Sequence, residues 1–375
     1  MIIDSLLSDR SKSVEISGIR RVFELGRTLK DPINLSIGQP HFDVPKPIRD
    51  AAIAAIESRK NGYTVTQGIG ELRDRLLSNV RAKYQHADRD LIVTSGTSGA
   101  LMLAMFSVLD PGDEVVAADP YFVMYPNLVS LIGGGFVAVD TYPSFDIDPD
   151  RFIAACTPRT KIVLLVSPAN PTGAICSTDA MERLAKFCES RNILLISDEI
   201  YRAFHYGSPA RSPAEFGESV LVVEGFGKTY GITGWRLGFA HGPKRLIDEM
   251  MKLQQSTFIC APSIAQWGGL AACDFDVSPI IADYERKRNR LAAGLKGYYE
   301  FAADGGAFYL FPKCPWGSGF EFATEAAKHG LLVIPGGTFS KRDTHFRISY
   351  AASDETLDRG IAVLQRMAAT HGASV

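Results

Sequence analysis

Short runs rich in Val, Ile and Leu recur through the middle of the chain, at 91-LIVTS-95, 115-VVAAD-119, 135-GFVAVD-140, 161-KIVLLV-166, 193-ILLIS-197, 220-VLVVE-224 and 237-LGFAH-241. Between several of them, apolar residues repeat at helical spacing, as in 98-SGALMLAMFSVL-109 and 178-TDAMERLAKFCESR-191. Strands that are apolar on both faces need cover on both sides. The alternation predicts an α/β fold, with a mostly parallel seven-stranded sheet between helices, over residues 46–275. After about residue 275 the texture changes. A long charged helix, 279-PIIADYERKRNRLAAGLKG-297, leads into short strands at 306-GAFYLF-311, 331-LLVIPG-336 and 345-HFRISYA-351, which predicts a smaller α+β domain over 276–375. Residues 1–45 are expected to join it, with 33-INLSIGQP-40 as a strand ending in a Gly/Pro turn.

Composition narrows the function. A chain of 375 residues exceeds the usual size of one core, in keeping with two domains. Lys+Arg 40 against Asp+Glu 42 leaves a net charge of -2, so there is no basic footprint for nucleic acid. The longest apolar runs are too short to cross a membrane, and the acid-bearing N-terminus does not resemble a signal peptide. The six cysteines form no C-x-x-C pair, which argues against a zinc ribbon or redox dithiol and fits reduced thiols in the cytoplasm.

In an open parallel sheet, ligands bind beyond the carboxyl ends of the strands. The polar residues at those ends are Gly96, Thr97 and Ser98; Phe122; Asn170 in 170-NPTG-173; Asp198 and Tyr201 in 198-DEIY-201; and Lys228 in the Gly-rich turn 225-GFGKT-229. A lysine against an apolar wall is a poor ammonium and a good nucleophile toward carbonyls, forming Schiff bases. A buried Asp198 needs a cationic partner or several donors. The strand-to-helix segment 95-SGTSGA-100 offers free N–H groups to a phosphate, and Arg236 could add a charge-assisted bond. Each residue also has a plainer reading: a surface lysine, a helix cap at Asp198, a capping hydroxyl at Thr97, a core aromatic at Phe122. Two nucleotide motifs are excluded. The tripeptide Gly227-Lys228-Thr229 lacks the P-loop glycine, because Val222 stands there, and neither 68-GIGELR-73 nor 225-GFGKTY-230 carries the third glycine of a dinucleotide fingerprint.

In order and spacing, the segments 34-NLSIGQPHFDVP-45, 63-YTVTQGIGELR-73, 94-TSGTSGAL-101, 110-DPGDEV-115, 168-PANPTGA-174, 198-DEIY-201, 227-GKTYGITGWRLG-238, 306-GAFYLFP-312 and 345-HFRISYA-351 resemble class I/II aminotransferases, the fold-type I pyridoxal-phosphate enzymes. The resemblance implies pyridoxal 5′-phosphate as cofactor, amino acids and 2-oxo acids as substrates, and a ping-pong transamination. It implies Lys228 as the Schiff-base lysine, Asp198 as partner of the pyridinium nitrogen, and Asn170 and Tyr201 as partners of the ring's phenolic oxygen. Phe122 would stack on the ring, and Gly96, Thr97 and Arg236 would hold the phosphate. Tyr63 would reach the phosphate of a neighbouring subunit, which implies a homodimer. Arg347, with the backbone at Gly38, would clamp the substrate α-carboxylate.

Two positions depart from the pattern. Gly225 stands where many members have a phosphate-binding Ser, and Ser98 where some aspartate-using members have a Lys. The same motifs serve carbon–sulfur β-lyases. Ligand-sensing regulators on this fold carry an extra N-terminal DNA-binding domain, for which the stretch before residue 34 leaves no room. Arg20, Arg21, His41, Tyr309 and Phe339 are further candidates near the substrate side chain.

Overall fold

The computed structural model describes residues 3–14, 18, 29–207, 209–302 and 305–370. Twelve strands are present among them: β1 (Ile33–Asn34), β2 (Arg89–Thr94), β3 (Glu114–Asp119), β4 (Gly135–Asp140), β5 (Thr160–Val166), β6 (Leu194–Asp198), β7 (Leu221–Gly225), β8 (Gly238–Pro243), β9 (Tyr309–Leu310), β10 (Leu331–Leu332), β11 (Ile334–Pro335) and β12 (Phe346–Ser349). Seven form the large sheet, in the order β2-β8-β7-β6-β5-β3-β4. The strand alternation explains its burial. Leu91, Val93, Val163, Leu165 and Val222 pack into one core, while Ile92, Ile162, Leu164, Leu221 and Val223 pack into another on the opposite face. Each such side chain taken from water contributes about 1.5–3 kcal/mol, which drives helices onto both faces.

Strand β8 runs antiparallel to both β2 and β7, and the other pairings are parallel. That reversal matters for the chemistry. The register pairs Thr94 and Gly225 with Gly238, and Val166 and Val223 with Asp198. The carboxyl ends of β2, β5, β6 and β7 therefore share an edge with the amino end of β8. Residues that precede β8, Arg236 among them, reach the same edge as residues that follow the other strands.

The remaining strands are shorter than the apolar runs suggest. In 33–40 only Ile33–Asn34 pairs, in parallel with β10, which ties the N-terminal segment to the C-terminal part of the chain. The run 331–336 is two strands: β10 pairs β1, while β11 pairs β12 in a three-stranded sheet, β11-β12-β9. One apolar run thus serves two partners, which period and length cannot reveal. The expected Gly-rich turn at 225–229 is a single helical turn, Phe226–Thr229, with Gly225 as its extended cap. A third core gathers Leu291, Phe308, Phe322, Ile348 and Leu364 with Tyr201 and Phe204, so the segment after β6 is anchored by the C-terminal part. No described helix is long and apolar enough to cross a membrane.

Candidate active site

A cavity of 340 Å³ opens at the shared strand edge. Ten of the eleven site residues implied by the resemblance line it: Gly38, Gly96, Thr97, Phe122 and Asn170, with Asp198, Tyr201, Lys228, Arg236 and Arg347. Tyr63 does not, and its side chain is 84% exposed. Three cations and one carboxylate among the lining residues suit a ligand, or two ligands, carrying more than one negative group.

The Lys228 amine donates to the Gly38 carbonyl, which holds it against the loop after β1. Burial, then the charges of Arg347 and Arg236, bring its pKa down from 10.5 to about 8, against the pull of Asp198. The free amine is the form that attacks a carbonyl. Loading of the cofactor-free protein with an aldehyde cofactor is therefore expected to speed up with pH and level off near 8, as read by stopped-flow absorbance. A plateau reached only near the ordinary lysine value of 10.5 would contradict a depressed Lys228.

Asp198 is only 3% exposed at the end of β6. Its Oδ1 accepts from the Ile200 amide at 3.1 Å and its Oδ2 from the Tyr125 hydroxyl at 2.8 Å. Burial pushes its carboxyl up from 3.8 to about 6, with the hydrogen bonds from Tyr125 and Ile200 and the charge of Lys228 acting downward. The carboxylate is held in place yet has no ion-pair partner among the described residues, so a protonated ring nitrogen would complete it. The capping role foreseen for an isolated Asp is present only as the short-range bond to Ile200. Tyr125 was not anticipated. It lies three residues after Phe122, in the first turn of the helix Met124–Ile132, and that nearness was its one available signal.

The helix Gly96–Val108 follows β2, and its cap residue, Ser95, makes no side-chain capping bond. Its first N–H groups are thus left for an anion, aided by the helix dipole. Arg236 aims at the same place. It donates to the Thr233 carbonyl at 2.9 Å and weakly to the Ser98 hydroxyl at 3.4 Å. Its φ of 54° is left-handed, a strain of about 1–3 kcal/mol that persists where the surroundings impose it. Gly96 has φ +70, which favours glycine, and a Cβ there would lie 2.6 Å from an Arg236 Nη atom and push the guanidinium aside. These groups fit a phosphate.

Arg347 is 1% exposed. Its Nη1 donates to Asn170 Oδ1 at 2.9 Å and its Nη2 to the Ser36 carbonyl at 2.8 Å. Its guanidinium lies 4.4 Å from the Tyr309 ring centroid and 4.9 Å from that of Phe339. Its Nε has no partner, and no carboxylate pairs with it among the described residues. A buried cation in this condition calls for an anionic guest. Because Asn170 spends its carbonyl on Arg347, its amide NH2 remains a donor toward the cavity. The Tyr201 and Tyr309 hydroxyls lie 2.8 Å apart. Burial raises the Tyr201 pKa well above its ordinary value, so Tyr201 stays a protonated donor. His41 does not line the cavity. It bonds Tyr284 at 3.0 Å and Lys287 at 2.6 Å instead. Arg20 and Arg21 lie outside the described residues.

The family model for aminotransferase class I and II matches residues 30–364. The chain belongs to this family. It is 35% identical to the aspartate/prephenate aminotransferase of Thermus thermophilus, over 92% of this chain and 94% of that protein. It is 31% identical to aromatic-amino-acid aminotransferase 2 of Thermococcus litoralis, over 96% and 98%. Among solved structures, the aspartate aminotransferase from Thermus thermophilus with maleate superposes with a TM-score of 0.91 at 33% identity, covering 96% of this chain and 99% of that one. Members of the family typically depend on pyridoxal phosphate and act on amino acids and 2-oxo acids.

Proposed function

We propose that the cavity holds pyridoxal 5′-phosphate and that the chain moves an amino group between an L-amino acid and a 2-oxo acid in a ping-pong sequence. The observation that carries this is three buried charged side chains lining one cavity: the Lys228 amine with its lowered pKa, the Asp198 carboxylate without an ion-pair partner and the Arg347 guanidinium without a counter-ion among the described residues. When bound, the cofactor supplies an aldehyde for the amine and a ring that takes up the electron pair released at the substrate's Cα. Asp198 keeps the ring nitrogen protonated. The uncapped N–H groups after Ser95, the Thr97 hydroxyl and Arg236 hold the phosphate, and Phe122 covers one ring face. Arg347, braced by Asn170 and Ser36, takes the substrate α-carboxylate and orients Cα. Lys228 would hold the cofactor's aldehyde and, as a free amine, would take the proton from the substrate's Cα. Tyr201 donates toward the ring's phenolic oxygen.

We assign residues 46–275 to the domain that holds the cofactor, and residues 1–45 with 276–375 to the smaller one. The exposure of Tyr63, with Val65 57% exposed nearby, supports a homodimer in which Tyr63 serves the cavity of a second copy. We place the protein in the cytoplasm, in keeping with six free cysteines.

The test is the half-reaction. An amino donor should convert the aldehyde form of the cofactor to the amine form without any acceptor, and a 2-oxo acid should restore it. Release of ammonia and pyruvate from cystathionine, with no bleaching by any amino donor, would move the chain to the carbon–sulfur β-lyases. A screen of aspartate, alanine, aromatic and branched donors against 2-oxoglutarate and pyruvate then defines the side chain accepted.

A further inference from the structure

The Gly38 carbonyl that accepts from the Lys228 amine lies in a stretch of chain pinned on both sides. Before it, the Leu35 amide donates to the Leu332 carbonyl at 3.0 Å, and the Ser36 carbonyl accepts from Arg347 at 2.8 Å. After it, the holding group is His41. Its amide donates to the Tyr284 hydroxyl oxygen at 3.2 Å, its Nδ1 lies 3.0 Å from the same oxygen, and its Nε2 lies 2.6 Å from Lys287 Nζ. Tyr284 and Lys287 stand on the helix Ser278–Leu295. Tyr284 is fully buried and Lys287 is 3% exposed, while His41 lies exposed across them. A lysine so buried needs partners. Lys287 has Asp283 Oδ2 at 2.9 Å and the His41 ring. An ammonium only donates, so Nε2 accepts from it, and the one proton of a neutral ring sits on Nδ1 and is donated to Tyr284. Neither Tyr284, Lys287 nor His41 lines the cavity.

We propose that His41 is a positioning residue for Lys228: clamped by Tyr284 and Lys287, it holds the Gly38 carbonyl against the amine. The proposal rests on Lys228 being the residue that takes the cofactor's aldehyde. Only Gln39 and Pro40 separate Gly38 from His41, and the proline ring fixes one of the torsions between them. A displacement at His41 is therefore passed to Gly38 rather than absorbed by a long flexible link. Burial is the largest cause of the lowered Lys228 pKa, and the stretch that carries the Gly38 carbonyl is part of what covers the amine. Released from the clamp, that stretch admits water. Water solvates the ammonium, and the lowering is partly lost. The other groups that face the amine are Arg347, Arg236, Asp198 and the Tyr201 ring, and none of them touches the clamp through His41. A change at Tyr284 or Lys287 thus reaches Lys228 by way of His41 and Gly38.

The full-length chain, stripped of cofactor, is mixed with pyridoxal 5′-phosphate in a stopped-flow instrument over a range of pH, and the loading rate gives a midpoint and a high-pH plateau. The wild-type midpoint is expected at about 8. Tyr284→Phe keeps the ring and removes the oxygen that His41 meets twice. Its midpoint should rise by about one, towards 10.5, so that loading at neutral pH slows about tenfold while the plateau stays within about twofold. Lys287→Met should move the midpoint the same way by less, and Asp283 keeps a partner there because Arg286 donates to it at 2.6 Å. His41→Ala should match Tyr284→Phe, and combining the two should add nothing. His41→Asn can return an N–H to the Tyr284 oxygen and should recover part of the shift. A midpoint that stays at about 8 in both Tyr284→Phe and His41→Ala would overturn the proposal, whether or not the plateau falls, because damage to the fold alone lowers the plateau. A wild-type chain that forms no aldehyde-dependent absorbance at any pH would instead overturn the assignment of Lys228 on which the proposal rests.

Discussion

Lys228→Ala is expected to lower transamination roughly ten-thousandfold, the upper range for loss of a group that moves a proton in the transition state. Two separate losses combine here. The amine that anchors the aldehyde is gone, and so is the base positioned at Cα. Its neighbours cannot substitute: Tyr201 is held protonated by burial, and Arg236 and Arg347 are permanent cations. The variant should still take up the cofactor through the phosphate cradle and Asp198, because those contacts do not involve the lysine. The check is a visible spectrum beside single-turnover kinetics. A lysine-bound absorbance band that persists in Lys228→Ala would falsify the assignment. Added primary amines should restore part of the rate if the missing function is proton transfer, since a small amine fits where the side chain was removed.

Asp198→Asn should lower turnover about a hundred- to a few-thousandfold, the equivalent of roughly 3–5 kcal/mol lost from a buried charge pair. The substitution keeps the size of the group. The amide oxygen can still accept from the Ile200 N–H while its NH2 donates to the Tyr125 hydroxyl oxygen, so geometry survives while the charge is lost. With cofactor bound, the carboxylate and the ring cation support each other. Without it, burial lifts the carboxyl to about 6. The sign of the resulting pH effect follows from proton counts. Between 3.8 and about 6 the folded, cofactor-free protein holds a proton on Asp198 that the unfolded chain has released. Folded stability from this group is therefore present at low pH and is lost as pH rises through that window. Cofactor affinity should run the opposite way and weaken as pH falls through about 6. Calorimetry of the wild type and Asp198→Asn with and without cofactor, across pH 4–8, reads both trends, and the variant should show neither. A cofactor affinity in Asp198→Asn equal to wild type at all pH values would exclude Asp198 as the ring's partner.

How a residue was found depended on what made it visible. Lys228, Asp198 and Asn170 sit just past apolar runs, and the rule that ligands lie beyond the carboxyl ends of parallel strands pointed at them without coordinates. Arg236 was reached differently. It precedes a strand, and only the reversal of β8 puts it on the same edge as the residues that follow β2, β6 and β7. Tyr125 carried no motif of its own. Its hydroxyl meets Asp198 across 73 positions of sequence, a contact that periodicity cannot encode. Arg347 and Asn170 are 177 positions apart, and their bond is why Asn170 acts as a donor toward the cavity. Gly225 looked like the loss of a hydroxyl. A Cβ at that position would lie 2.8 Å from Ile200 Cδ1 and 2.9 Å from Thr97 Cγ2, so a side chain there requires these neighbours to shift.

The alternation of apolar runs and helical repeats carried the α/β architecture, because burial on both faces of a sheet leaves a one-dimensional trace in strands that are apolar throughout. It also carried the chemistry of the strand ends, since those positions are set by local order along the chain. The direction of β8, the division of 331–336 between two sheets, the bracing of Asp198 by Tyr125 and the burial of Arg347 without a counter-ion among the described residues were decided only by the folded chain. Each depends on which distant residues meet, and contact between distant residues is a property of packing in three dimensions that spacing along the sequence does not contain.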